Sequence, residues 1–329
     1  MNSFKKEEIV KHLTCNKNRN ILKEADSIRK EHCGDEVHIR GIIEFSNYCK
    51  RDCLYCGLRK SNKKLTRYRM TADEIFKAAR KVEEFKYKTI VLQSGEDDYY
   101  RIEELCGLVK RIKKEIDCAV TLSIGERTYD EYKQLREAGA DRYLLKFETS
   151  NKKLFVFLKP GSLYEKRLKR LEWLRDLGYQ VGSGNMVGLP GQTLEMLADD
   201  ILLMNKLDLD MIGIGPFIPH PDTPLWRFRE GTLELTLKTI ALTRMAAPDA
   251  YIPATTAAGS VDPAGRQKAL QCGANVIMPN MTPQKYRKYY EIYPDKICLN
   301  DQPGDCRMSI KTIIESLGRN IARGYGGQG

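Results

Sequence analysis

Val37-His38-Ile39-Arg40-Gly41-Ile42-Ile43-Glu44-Phe45 leads, one residue later, into Asn47-Tyr48-Cys49-Lys50-Arg51-Asp52-Cys53-Leu54-Tyr55-Cys56-Gly57. A β-rich segment is thus followed at once by three cysteines spaced C-x-x-x-C-x-x-C. Outward from this point, short β-rich runs alternate with helix-length segments nearly to the end of the chain. The expected strands are residues 37–45, 89–94, 119–123, 142–147, 180–186, 211–217, 251–255 and 275–278. Several are near-continuous apolar runs, such as Thr89-Ile90-Val91-Leu92, as parallel strands covered by helices require. Thr71-Ala72-Asp73-Glu74 reads as a capping box, and Gly139 and Gly178 follow helix-like runs as stops. About eight repeats of this alternation predict an α/β fold, a complete (β/α)8 TIM-type barrel rather than an open doubly wound sheet. The loop after a barrel strand lies on the face that carries active sites, which is where the cysteines fall.

The chain has 329 residues, 42% hydrophobic and 30% charged, with ten cysteines and 55 Lys+Arg against 44 Asp+Glu, a net charge of +11. No stretch approaches the ~18 consecutive apolar residues of a membrane span. The start, Met-Asn-Ser-Phe-Lys-Lys-Glu-Glu, has no apolar h-region, so a cytoplasmic, reducing compartment is expected, where closely spaced cysteines bind metal rather than form disulfides. Most lysines mix with glutamates on helical segments, the pattern of a solvated face. One stretch is denser: Arg59, Lys60, Lys63, Lys64, Arg67 and Arg69 have no acid between them. Only Tyr68 interrupts the run and no recognisable module accompanies it, so no nucleic-acid partner is expected, and the stretch fits equally well the docking of an acidic electron donor such as a flavodoxin or ferredoxin. Residues 1–35 read as a helical extension, 36–322 as the barrel with a C-terminal helix, and 323–329 as a glycine-rich tail expected to be disordered.

Three thiols packed this closely can hold one inorganic site but leave it incomplete. A 4Fe-4S cluster has four irons, and three thiolates leave one open to an exogenous chelator. S-adenosylmethionine (SAM) chemistry uses this arrangement: SAM binds the open iron and an electron from the cluster breaks its sulfonium bond. The alternative is a non-enzymatic zinc scaffold with His32 or Cys33 as fourth ligand, although zinc sites usually come as two ligand pairs and no second pair exists here. Other strand ends add candidates. Ser94, Gly95 and Glu96 could hold the SAM amino group, against a plain acidic helix start. Glu148 ends the fourth strand and needs a partner, either ligand or an ion pair with Arg142, Lys146 or Arg167. The glycines of 182–191 could admit an adenosine against bare backbone. His220 sits among prolines, and Thr255 and Thr256 offer hydroxyls. Cys15, Cys106, Cys118 and Cys272 read as small core residues.

These blocks, with Glu36 to Arg40, Tyr68 to Thr71, Leu92 to Glu96, Gly188 to Gln192, Gly213 to Thr223 and Ile277 to Asn280, resemble the HydE type of radical SAM enzyme, maturases of FeFe-hydrogenase related to biotin synthase and methylornithine synthase. The resemblance runs from about residue 35 to about residue 315 and implies a radical SAM barrel with a closed internal cavity. It implies an organometallic substrate, a cysteine-bound iron carbonyl cyanide complex supplied by a partner maturase. By motif, Cys49, Cys53 and Cys56 would bind the cluster, and Tyr55, Ser94, Gly95, Glu96, Ser123, Glu148, Arg167 and Met186 would contact the cofactor. Gln93, Thr121, Arg142, Met211, Thr255, Thr256, Met278, Tyr290 and Tyr293 would line the substrate cavity, where an arginine suits an anionic substrate. Two departures stand out. Of three C-terminal cysteines that can hold a second cluster in the family, only Cys298 and Cys306 are present, with Ser309 in the third place, so a second cluster is expected to be absent or labile. Phe147 stands before Glu148 where the family commonly has His, which leaves room for a paralogue acting on another small sulfur-containing or amino-acid substrate.

Overall fold

The structure is a computed structural model that describes residues 5–15, 19–297, 299 and 303–327. In chain order the elements are α1 (Lys6–Thr14), α2 (Arg19–Cys33), β1 (Glu36–Ser46), α3 (Ala72–Glu84), β2 (Thr89–Ser94), α4 (Ile102–Glu115), β3 (Ala119–Ser123), α5 (Tyr129–Glu137), β4 (Arg142–Leu144), α6 (Lys152–Leu158), α7 (Tyr164–Asp176) and β5 (Gln180–Ser183). They continue with β6 (Met186–Val187), α8 (Leu194–Lys206), β7 (Met211–Ile212), β8 (Gly215–Pro216), α9 (Leu233–Ala246), α10 (Thr256–Val261), α11 (Gly265–Leu270), β9 (Val276–Ile277), α12 (Gln284–Arg287), α13 (Pro303–Ser316) and β10 (Asn320–Ile321).

Inside the sheet, side chains alternate as a pleat dictates. Ile43, Ile90, Val120, Tyr143 and Val181 point outward and are fully buried under the helices. Ile42, Val91, Thr121, Leu144 and Met211, one position away, line the interior. Each aliphatic chain of the outer set contributes ~1.5–3 kcal/mol on burial, which makes the register costly to slip. The predicted capping box at Thr71 forms, with Glu74 N donating to Thr71 Oγ1 at 3.2 Å, and Thr128, Thr193 and Thr232 cap α5, α8 and α9 in the same way.

All pairings between these strands are parallel, in the order β10-β1-β2-β3-β4-β5-β7, with β9 on the other part of β1. The sheet is TIM-like, yet the expected complete barrel of eight continuous strands does not form. Residues 251–255 make only single bridges, Met211 to Tyr251 and Pro253 to Val276. Pro253 has no N–H to donate, so the ladder cannot run through this segment. The expected strands at 180–186 and 211–217 are each split, and β6 and β8 pair with each other instead. The N-terminal extension is two helices packed on α8 and α9, tied by Lys6 Nζ to Asp199 at 2.7 Å.

The tail departs further from expectation. Residues 323–327 are ordered beneath the N-terminal ends of the strands, where the carbonyl of Tyr325 accepts from Thr89 Oγ1 at 3.0 Å and from Arg142 Nη2 at 2.8 Å. Among the described residues no helix is long and apolar enough to cross a membrane.

Candidate active site at the C-terminal mouth of the barrel

Besides its apolar packing through Leu54 and Leu58, the cysteine loop is held by main-chain acceptors. Arg67 donates to the carbonyls of Asn47 (2.5 Å), Leu58 (2.9 Å), Arg59 (2.7 Å) and Asn62 (3.2 Å). Arg59 pairs with Asp52 at 2.8 Å, and Arg69 reaches Asp97 at 2.7 Å while lying 3.7 Å from the centre of the Tyr48 ring. Three members of the basic stretch are thus consumed in fixing the loop. Lys64 pairs with Asp222 at 2.6 Å, and Lys60 and Lys63 stay exposed.

Two glycines set how closely neighbouring segments approach. A Cβ on Gly95 would lie 2.2 Å from Tyr48 O and 2.8 Å from Cys49 Cβ, and one on Gly57 would lie 2.0 Å from Glu291 O. No other residue fits either place, so the loop after β2 and the segment near 291 both press on the cysteines. Cys53 is buried, and Cys49 and Cys56 are half-buried. Burial, then neighbouring Cys53 and Cys49, pushes the Cys56 thiol up, and burial raises Cys49 as well. Thiolates here require a cationic centre to share, as cluster irons provide. Among the described residues no three His, Cys, Asp or Glu side chains converge on a single-ion site. The fourth zinc ligands considered above lie elsewhere: His32 Nδ1 is 3.0 Å from Asp249, and Cys33 donates to Pro248 O at 3.5 Å.

Beneath the loop lies a cavity of about 360 Å³. Of the predicted site residues, Tyr55, Cys56, Gln93, Thr121, Glu148, Met186, Met211, Thr255, Thr256, Met278 and Tyr293 line it. Glu148 stands in a left-handed conformation (φ 67°), its N–H donating to Gly184 O at 2.9 Å and its carbonyl accepting from Met186 N at 3.0 Å. That backbone costs ~1–3 kcal/mol and turns the carboxylate into the cavity. Burial raises the Glu148 carboxyl, but Lys146, Lys159 and Arg167 outweigh it and leave it below the usual range. Its oxygens meet Tyr55 OH at 3.2 Å and Lys146 Nζ at 3.4 Å, so the ion pair weighed from sequence forms with Lys146.

Ser94, Gly95, Glu96, Ser123 and Arg167 lie off the cavity wall. Ser94 Oγ donates to Gly95 O at 2.7 Å. Glu96 is engaged by Arg51 at 2.5 Å, within a lattice in which Arg51 and Arg167 also reach Glu126 at 2.7 and 2.9 Å. Glu126 and Arg51 were not singled out from sequence. Burial raises the Glu126 carboxyl, and Arg167, Arg170 and Arg51 pull it below normal. Tyr290 is fully buried behind Gln93.

Three expectations need correction. Arg142 is not in this cavity: it opens β4 at the opposite end, bonded to Gln180 Oε1 at 2.5 Å and to the tail. The cavity's arginine is Arg40, whose Nε and Nη2 have no hydrogen-bond partner. Glu44 and Lys296, an ion pair between β1 and the segment after α12, also line the wall unforeseen. Phe147 is buried in the main core and absent from the wall, so its replacement of a polar ring does not alter the cavity surface. Two of the glycines of 182–191 also pack against backbone, since a Cβ on Gly184 would lie 2.1 Å from Gly213 O and one on Gly188 2.4 Å from Gly231 Cα. Finally, Cys106, Cys118 and Cys272 are buried as expected, but Cys15 is exposed. His220 fills the rigid-turn role: its Nδ1 accepts from Asp222 N at 3.1 Å. Cys298 and the side chain of Cys306 lie outside what the structure describes.

A model of the radical SAM superfamily matches residues 43–204. The chain is 54% identical to the [FeFe] hydrogenase maturase subunit HydE of Thermotoga maritima, over 94% of this chain and 89% of that one. It is 30% identical to the 3-methylornithine synthase of Methanosarcina acetivorans, over 77% of this chain and 72% of that one. The crystal structure of methylornithine synthase superposes with a TM-score of 0.86 at 25% identity, covering 97% of this chain and 94% of that one.

Proposed function

We propose, since the chain belongs to the HydE family of radical SAM enzymes, that it acts as a maturase in assembly of the FeFe-hydrogenase active site, on a cysteine-bound iron carbonyl cyanide precursor. When bound, a 4Fe-4S cluster and SAM would supply this site with a 5′-deoxyadenosyl radical by reductive cleavage. Cys49, Cys53 and Cys56 would ligate the cluster and leave one iron position to SAM. The observation that carries the reading is this incomplete thiol set over a cavity whose buried polar atoms Arg40 Nε and Nη2 and Thr121 Oγ1 have no hydrogen-bond partner in the protein. Such groups are costly unless a ligand meets them.

Tyr55, Glu148, Met186 and Arg167, with Ser94, Gly95, Glu96 and Ser123 at the rim, would orient the cofactor. Gln93, Thr121, Met211, Thr255, Thr256, Met278 and Tyr293 would hold the substrate, with Tyr290 fixing Gln93 from behind. Arg40 takes the place first given to Arg142 as the cation for an anionic complex. A second C-terminal cluster is proposed to be absent or labile. The protein would work in the cytoplasm beside partner maturases. An acidic protein would supply its electrons through Lys60 and Lys63, the members of the basic stretch left exposed without an acid partner among the described residues. Replacing HydE by this chain in an anaerobic hydrogenase maturation assay tests the substrate. Active hydrogenase supports the reading, and intact SAM cleavage without active hydrogenase assigns the chain to another substrate.

A further inference from the structure

We propose that residues 324–327 form a displaceable plug over a second, cation-lined entrance to the internal cavity, at the N-terminal ends of the strands, suited to small anions. The proposal concerns the rear of the barrel and does not rest on the radical chemistry. The tail lies there without burying an apolar side chain in the barrel. Tyr325 is 45% exposed, its hydroxyl donates to Asp117, and Lys88 Nζ stands 5.8 Å from the ring centre. What enters the mouth is main chain: the carbonyls of Tyr325 and Gly326 both accept from Arg142 Nη2. Gly326 has φ +64°, and a Cβ on it would lie 2.4 Å from His38 Nδ1, while one on Gly327 would lie 2.4 Å from Gln180 Nε2. The two glycines let the chain lie flat on the opening. Polar carbonyl contacts of this kind are readily exchanged for water or for an anion's oxygens.

Above the tail the barrel is one side chain thick. Tyr251 borders both the rear recess and the internal cavity. Arg40 lies 4.9 Å over its ring from the cavity side, and His38 meets it edge-on at 5.1 Å from the rear. Neither Arg40 nor Arg142 forms an ion pair among the described residues. Arg40 has only Met211 Sδ at 2.8 Å, and Arg142 has Gln180, Thr89 and the tail carbonyls. Burial, then the neighbouring Arg142, brings Arg40 down to about 9, as like charges in a dry site do. With the tail in place, carbonyl dipoles answer Arg142; with it displaced, Arg142 faces the solvent, Arg40 stands behind it across the Tyr251 ring, and the two in series would draw anions inward. The front of the cavity is walled by Tyr55, Cys56, Ile292, Tyr293 and Lys296. A rear route lets a small anion pass without disturbing that wall.

The test places a thiol under the tail. Ala119 pairs with Thr89 across the sheet, lines the rear recess and is 5% exposed, so Ala119→Cys introduces a reporter shielded by the plug. Alkylation of the anaerobic holoprotein is read peptide by peptide with neutral iodoacetamide and anionic iodoacetate. Gly326→Val in the full chain should raise the reporter's labelling by about tenfold or more, with iodoacetate gaining more than iodoacetamide. A chain ended after Arg323 should do the same. Cys272, 1% exposed in the core, must stay unlabelled throughout, which separates opening of the mouth from unfolding. Arg142→Met in the opened protein should abolish the preference for iodoacetate. Rates within about twofold of the intact tail in both variants, or acceleration with no preference for the anion, would overturn the proposal.

Discussion

At the front of the barrel Arg51 and Arg167 interleave with Glu96 and Glu126, and Lys296 from the segment after α12 meets Glu44 inside the cavity. At the rear, Arg40 and Arg142 lie in series along the axis with a thioether, an amide, a hydroxyl and two main-chain carbonyls for company. The front charges are paired with each other and brace the loop that carries the cysteines. The rear and inner cations are answered only by neutral groups, which leaves their charge for something that binds. A site that must hold a cofactor rigidly and a site that must attract a mobile anion are therefore built from the same residue types in different pairings.

The largest effect that could break this contrast is on chemistry. Cys49→Ala, Cys53→Ala or Cys56→Ala should abolish release of 5′-deoxyadenosine from SAM, whereas Arg142→Met at the rear should keep at least about half of it. Comparable loss at both ends would remove the distinction. Stability comes next. Glu126→Gln removes the carboxylate that the buried Arg167 meets at 2.9 Å, leaves Arg51 with Glu96 alone, and should cost about 3–5 kcal/mol in urea unfolding. Arg142→Met, which removes hydrogen bonds to neutral partners, should cost about 1–3 kcal/mol. The reverse order would mean that the front lattice is not what fixes the loop.

A pH series sharpens the comparison through one buried group near each end. Asp200, on α8, accepts from Ser150 N (2.5 Å), Ser150 Oγ (2.6 Å) and Asn185 Nδ2 (2.9 Å), and so joins the turn after Glu148 to the glycine-rich turn. Burial lifts it to about 6 against an ordinary value of 3.8, with those hydrogen bonds pulling the other way. Its native carboxyl therefore takes up a proton before the unfolded one. Its contribution, about 3 kcal/mol, is present below pH 4 and lost as pH rises through 6. His38, beside the tail, is brought down to about 4 from 6.5 by burial, then by Arg40 and Arg142. Here the unfolded ring is protonated first, so its contribution is present above pH 6.5 and lost as pH falls toward 4. The two oppose each other between pH 6 and 4. Asp200→Asn should steepen the acid loss of stability across that window, and His38→Gln should flatten it; identical profiles for both variants would refute these assignments.

The smallest effect concerns electron entry. Lys60→Glu with Lys63→Glu should slow cluster reduction by an acidic protein donor about tenfold at low salt and flatten its ionic-strength dependence. Reduction by a small chemical reductant should not change. An unaltered rate with the protein donor would move the docking site elsewhere.

Much of the front was legible because its chemistry is local in sequence. The thiols fall within one loop, and β2 and β3 begin and end where their apolar runs do. Arg142 was misplaced although the signal was present. It opens β4 while Glu148 follows its end, so the two cannot share a mouth of the barrel. Arg40 and Glu44 could have been found by parity, since they share the inward face of β1 with Ile42. The Glu126 lattice could not, because Arg51, Glu96, Glu126 and Arg167 come from four separate segments and meet only in the folded chain. The tail was read as disordered from its glycines. Its order comes from carbonyls meeting a buried guanidinium, and carbonyls leave no mark on composition.

Anaerobic reconstitution with iron and sulfide, followed by addition of SAM under reducing conditions, tests the central claim most directly. The account predicts a brown protein with about four irons per chain, a reduced-cluster spectrum that changes when SAM is added, and 5′-deoxyadenosine as product, all lost in the Cys56→Ala variant. A colourless protein holding one zinc per chain, with no spectral response to SAM, would contradict it.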